Sequence, residues 1–144
     1  MTGLSHCYPV RVYYEDSDAG GVVYHANYLK FMERARTEFL RTGGFEQDEL
    51  DARHGILFAV AEANIRYLRP ARFNEQLQVE SRIVEASGVQ VTFAQQVRRI
   101  GDGELLVEGS VRVACMDRAG KPRRMPADIS RFFHQHLDIP KENS

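Results

Sequence analysis

Cysteine is scarce in this sequence: Cys7 and Cys115 are the only two in 144 residues. Two are too few for a disulfide framework or a zinc site by themselves, and they read as reduced thiols of a reducing compartment. Excess charge of one sign is missing as well, because 19 Lys and Arg face 20 Asp and Glu. No global field therefore draws nucleic acid or anionic lipid. No apolar run approaches the roughly 18 residues needed to cross a bilayer. The opening MTGLSHCYPV has no basic stretch followed by an apolar core, so no signal peptide is expected. Common catalytic signatures are absent too: there is no GxxxxGK(S/T) phosphate loop, GxSxG elbow, HExxH or CxxC. His134 and His136 stand two apart on an expected helix, point in different directions and cannot share a metal. What remains is a cytoplasmic chain expected to form one domain over 1–144, with an ordinary 43% of hydrophobic residues.

The apolar pattern changes period once. Val10, Val12 and Tyr14 alternate with polar or outward positions, which predicts a strand over 9–14. A polar, glycine-rich loop, EDSDAGG, follows. Tyr28, Met32, Ala35 and Phe39 then recur at helical spacing, so a helix is expected from 23–27 to about 42, closed by Gly43 and Gly44. A short helix is expected over 46–53. Beyond it the period is that of strands. Leu57, Ala59, Ala61, Ala63, Ile65 and Tyr67 are expected on one face, and three more strands follow near 77–84, 89–97 and 105–113. A closing helix is expected over 127–137. Four strands in series with short turns favour an antiparallel sheet, and the one long apolar helix needs that sheet around it. This is the α+β hotdog arrangement. Its long edge strands call for pairing across a two-fold axis, so a homodimer or larger even assembly is expected.

The chemistry is concentrated in the stretch from Tyr14 to Tyr28. Carboxylates and two glycines stand immediately before a helix, whose first turn offers unpaired amides and the positive end of the dipole. Such amides suit a carbonyl oxygen that becomes negative during reaction, and Asp18 would lie beside the electrophilic carbon. Gly20 and Gly21 let the loop fold tightly and a substrate approach its backbone. The same residues equally suit a structural turn, and spacing alone leaves both readings open. Glu33 and Arg36, further along the helix, read as an exposed or locally paired face.

The segment RVYYEDSDAGGVVYHANYLKFMERARTEFLR resembles the signature of the hotdog thioesterases related to hydroxybenzoyl-coenzyme A thioesterase. Within that family it is most similar to the bacterial acyl-CoA thioesterases associated with the Tol-Pal system. The likeness extends through IRYLRPARFNEQL and VRVACMDRAGKPRRMP. It implies hydrolysis of an acyl-CoA to a carboxylic acid and free coenzyme A, at a site on a subunit interface of a homotetramer. Asp18 is then the essential carboxylate, acting as nucleophile or as general base on a water. The resemblance places His25 and Tyr14 beside it and assigns the amides around Tyr24 and His25 to the carbonyl. No metal or organic cofactor is implied; coenzyme A is part of the substrate.

Lys121, Arg123 and Arg124 form the densest basic cluster in the chain. They are candidates to hold the phosphates of coenzyme A, or an acidic acyl carrier protein as partner, although charge runs are commonly just solvated. Two other functions compete: an acyl thioester dehydratase on the same fold, and an envelope-associated or carrier-docking adaptor that needs no Asp18.

Overall fold

The computed structural model describes residues 4–138. Strand β1 (His6–Arg11) leads through a 3-10 turn (Tyr14–Asp16) into α1 (His25–Thr42) and α2 (Gln47–His54). Strands β2 (Leu57–Tyr67), β3 (Gln76–Ala86), β4 (Gln90–Arg99) and β5 (Leu105–Met116) follow, and α3 (Ala127–Gln135) comes after them. The strands form one antiparallel sheet in the order β1-β3-β4-β5-β2. With α1 packed on the sheet, the α+β hotdog arrangement expected from the sequence is present.

Tyr28, Phe31, Met32, Ala35, Phe39 and Leu40 form the buried stripe of α1, as the three-and-four spacing requires. Facing it are Leu77, Val79 and Ile83 of β3, Val91, Phe93 and Val97 of β4, and Val107, Val111, Val113 and Cys115 of β5. The helix stops at Gly43, where a Cβ would meet the Phe132 ring at 2.6 Å; only glycine lets α3 pack that close.

The structure differs from the sequence reading in two places. The first strand ends at Arg11, and Tyr14 opens the 3-10 turn instead of ending the strand. In β2, Val60 pairs with Val113 but Glu62 pairs with Arg112, so Ala61 is a bulge. The extra residue shifts the alternation. Phe58 and Val60, not Leu57 and Ala59, share a face with Ala63, Ile65 and Tyr67.

The registers also define two ends of the sheet. At one lie Arg11, Gln76, Arg99, Leu105 and Tyr67; at the other lie Ala86, Gln90, Met116 and Leu57. α1 begins at the first end, where the His25 ring meets Tyr67, and finishes at the second, under Phe132. Strand β2 is an exposed edge, with Val60 and Tyr67 largely uncovered. Among the described residues no helix is long and apolar enough to cross a membrane.

Candidate active site

The loop between β1 and α1 is held by main-chain geometry. The Asp18 amide donates to Val22 O at 2.8 Å and the Gly21 amide to Asp18 O at 3.0 Å, closing a tight turn. Gly21 has φ +79°, in the left-handed region that glycine occupies without strain. Asp18 itself is exposed, and its Oδ1 accepts from the Gly20 amide at 2.8 Å. Its other carboxylate oxygen accepts no hydrogen bond among the described residues and is open to a substrate or a water.

Asp16 ties this loop to the helix. Its carbonyl accepts from the Tyr24 amide at 3.1 Å and from Nδ2 of the buried Asn27 at 2.7 Å. Its carboxylate accepts from the Tyr13 amide at 2.8 Å. The Tyr24 amide is therefore occupied, contrary to the expectation that it polarises a carbonyl. Tyr24 is the N-cap residue and makes no side-chain cap. The next two amides, those of His25 and Ala26, have no acceptor among the described residues. These open donors stand at the positive end of an 18-residue helix. Sequence reasoning missed Asn27 and Asp16, because an Asn one turn into a helix looks like any polar residue. Only the fold shows its amide reaching back 11 positions.

A second loop supports the first from behind. The Val23 amide donates to Ala71 O at 2.8 Å, the Val12 amide to Glu75 O at 2.9 Å and the Asn74 amide to Val12 O at 2.9 Å. The Ala71 amide donates to the buried Tyr28 hydroxyl at 3.0 Å, and burial raises that phenol's pKa. Arg99 clamps the far side through ion pairs to Glu75 at 3.1 Å and Asp102 at 2.8 Å.

Within one chain the expected catalytic side chains touch different partners. Tyr14, 80% exposed, packs edge-on against Phe73 with ring centroids 5.9 Å apart. His25 is exposed and its ring lies 4.6 Å from that of Tyr67. Lys121, Arg123 and Arg124 sit at the opposite end of the sheet from Asp18. The Arg123 amide donates to Cys115 O at 3.0 Å, and the Arg124 guanidinium lies over Gly88 in the β3–β4 turn. A strand of twelve residues separates the two ends, on the order of 35 Å at 3.3 Å per residue. One chain does not bring the basic cluster to the acidic loop. Among the described residues no group of three His, Cys, Asp or Glu side chains is placed to hold a metal ion.

The sequence profile of the thioesterase-like superfamily matches residues 12–133, a span that contains the loop, α1 and the whole sheet from β2 onward. The chain belongs to that superfamily. It is 44% identical over 131 residues to the acyl-CoA thioesterase YbgC of Haemophilus influenzae, covering 90% of this chain and 94% of that protein. To the acyl-CoA thioester hydrolase YbgC of Escherichia coli O6:H1 it is 43% identical over 129 residues, covering 89% and 95%. The crystal structure of a probable thioesterase from Bartonella henselae superposes with a TM-score of 0.79 at 37% identity, covering 85% of this chain and 99% of that one. A hotdog thioesterase scaffold thus carries the exposed aspartate and the open helix start described above.

Proposed function

We infer that the protein hydrolyses acyl-CoA thioesters to a carboxylic acid and free coenzyme A, with the reaction at the Asp18 loop. The observation that carries the reading is the pair of open amides at His25 and Ala26 beside a loop that presents a free carboxylate oxygen. The thioester carbonyl oxygen accepts from those amides, which stabilise the negative charge of the tetrahedral intermediate. Asp18 either attacks the carbonyl carbon, leaving an anhydride that water opens, or takes a proton from an attacking water. In both routes the C–S bond breaks and the thiolate departs; thiols ionise near pKa 8.5, so the leaving group needs little help. His25 then has an orienting or polarising task, and Tyr14 flanks the carboxylate. No metal or organic cofactor enters either route, coenzyme A being carried by the substrate itself.

The site is built for a pair of subunits. β2 is an uncovered edge strand, and an antiparallel two-fold pairing of two β2 edges sets one chain's Tyr67 end beside the other's Leu57 end. Lys121, Arg123 and Arg124 of one copy then approach the Asp18 loop of the other, where they meet the phosphates of coenzyme A. An acyl carrier protein is an alternative carrier of the thioester, docking on the same cations. The free Cys7 and Cys115 suit the reducing cytoplasm. A tetramer of such pairs, a single domain over the full chain, and service to the Tol-Pal envelope system belong to the same reading on the strength of the resemblance.

The test is release of free thiol from short, aromatic and long acyl-CoA by the wild type and by Asp18→Asn. Turnover that falls about a thousandfold or more in a folded mutant supports the assignment. Equal turnover moves the chemistry to another residue. No turnover by the wild type favours the adaptor reading.

A further inference from the structure

α1 also carries a buried cation that hydrolysis at Asp18 leaves unused. Arg36 is 9% exposed, against the expectation of a solvated helix face. Its Nη1 donates to Gln95 Oε1 at 2.9 Å. The Gln95 amide nitrogen in turn donates to Met32 O and to Ser81 Oγ, each at 2.9 Å. That network holds the guanidinium in place through a neutral partner. Among the described residues no carboxylate lies within ion-pairing distance of it. Burial pushes the Arg36 pKa down, and the exposed Glu33 one turn earlier pushes it back up from a distance.

The other guanidinium nitrogens are not sealed in protein, since the only buried side-chain atoms without a hydrogen bond among the described residues belong to His6 and Arg99. They open onto a cavity of about 370 Å³ between α1 and the β2 edge. Phe58, Val60, Phe93 and Phe133 form its apolar wall, and Glu33, Thr37 and Gln47 line its polar side. A half-satisfied guanidinium with a neutral partner, facing such a cavity and with no carboxylate at ion-pairing distance among the described residues, has donors left for a ligand's carboxylate.

We propose that this cavity receives the acyl group and selects chains that end in a carboxylate, with Arg36 as the specificity-determining residue. The proposal rests on the thioesterase reading and names the substrate class of that site. An open cavity of that size suits a short dicarboxylic half-thioester. Arg36 lies 11 positions after His25, about 16 Å along the helix at 1.5 Å per residue. A short acyl chain held at its own Asp18 loop does not span that distance. The opening beside β2 instead faces the neighbouring copy, whose Asp18 loop the edge pairing brings to this end of the sheet. A bidentate guanidinium–carboxylate contact then closes the pocket.

Adipoyl-CoA and hexanoyl-CoA differ by the terminal carboxylate at the same carbon count, and their kcat/KM ratio tests the proposal. The wild type is expected to prefer adipoyl-CoA about tenfold or more, as one charge-assisted contact allows. Arg36→Met is expected to reverse that preference, and Arg36→Lys to retain part of it. Equal kcat/KM for the two substrates in the wild type overturns the proposal, even where Arg36→Met fails to fold. A ratio unchanged in folded Arg36→Met overturns it as well. Calorimetric titration of both CoA esters into Asp18→Asn separates this idea from the one beneath it. Tighter binding of adipoyl-CoA with no turnover by the wild type keeps Arg36 as the selector and removes the hydrolase reading.

Discussion

The two ends of the sheet use aromatic side chains in opposite ways. Under α3, the rings of Phe39, Phe93, Phe132 and Phe133 meet edge-to-face or tilted at 5.8–6.3 Å, with His136 and Phe45 at their margin. Phe133 is 1% exposed. At the Asp18 end, Tyr13, Tyr14, Tyr24, Tyr67 and Phe73 are all largely exposed, and the loop beneath them is held by main-chain hydrogen bonds. Packing stabilises the first end. Directional bonds hold the second and leave its rings and amides free to meet something else. The contrast shows how one small domain can be both firmly folded and open at its site.

That contrast can be broken by paired substitutions. Phe133→Ala should cost about 3–5 kcal/mol in urea unfolding. Tyr14→Ala should stay within about 0.5 kcal/mol of wild type, as exposed positions do. Comparable losses at both would mean the open end is also load-carrying core. Asn27→Ala comes next. It removes one of two donors to the Asp16 carbonyl and should cost about 1–3 kcal/mol. Because it loosens the loop over the helix start, kcat should fall about ten- to a hundredfold with KM little changed. A change in stability with kcat intact would reduce Asn27 to a structural role. Arg123→Ala with Arg124→Ala should act on KM, raising it roughly tenfold with kcat unchanged if these cations meet phosphate.

The smallest effect concerns His6, whose ring stacks on Phe39 at the packed end and whose Nδ1 is buried without a partner among the described residues. Burial lowers its pKa below the ordinary 6.5, against a weaker opposing pull from Glu38. The unfolded chain therefore binds the proton more readily. The His6 contribution is complete above pH 6.5 and is lost as pH falls from there through the lowered folded value. His6→Leu should flatten the decline of the unfolding midpoint between pH 7 and pH 5.5, and an unchanged slope would remove His6 from the account.

Element types were legible in the sequence because period is a local property. Three-and-four spacing marked α1 and alternation marked the strands, and an acidic, glycine-rich loop before a helix was visible as a possible site. What alternation does not show is an added residue inside a strand, so Leu57 and Ala59 were expected on the wrong face. Likewise Arg36 looks solvated in a helical run of charges; its burial depends on Gln95, 59 positions later. The separation of Lys121, Arg123 and Arg124 from Asp18 was equally hidden. It follows from the direction of β5, which only the ladder registers reveal.

The bulge at Ala61 has a bearing on how related chains can diverge. Removing that residue would leave a regular strand with Phe58 and Val60 still on the cavity face beside Ala63, because the bulge already absorbs one residue without turning the strand over. Ironing the bulge flat with the residue kept would instead bring Leu57 and Ala59 to that face. The bulge is thus a place where the chain can lose one residue at no cost to the pocket wall, whereas a loss a few positions earlier would turn over what precedes it.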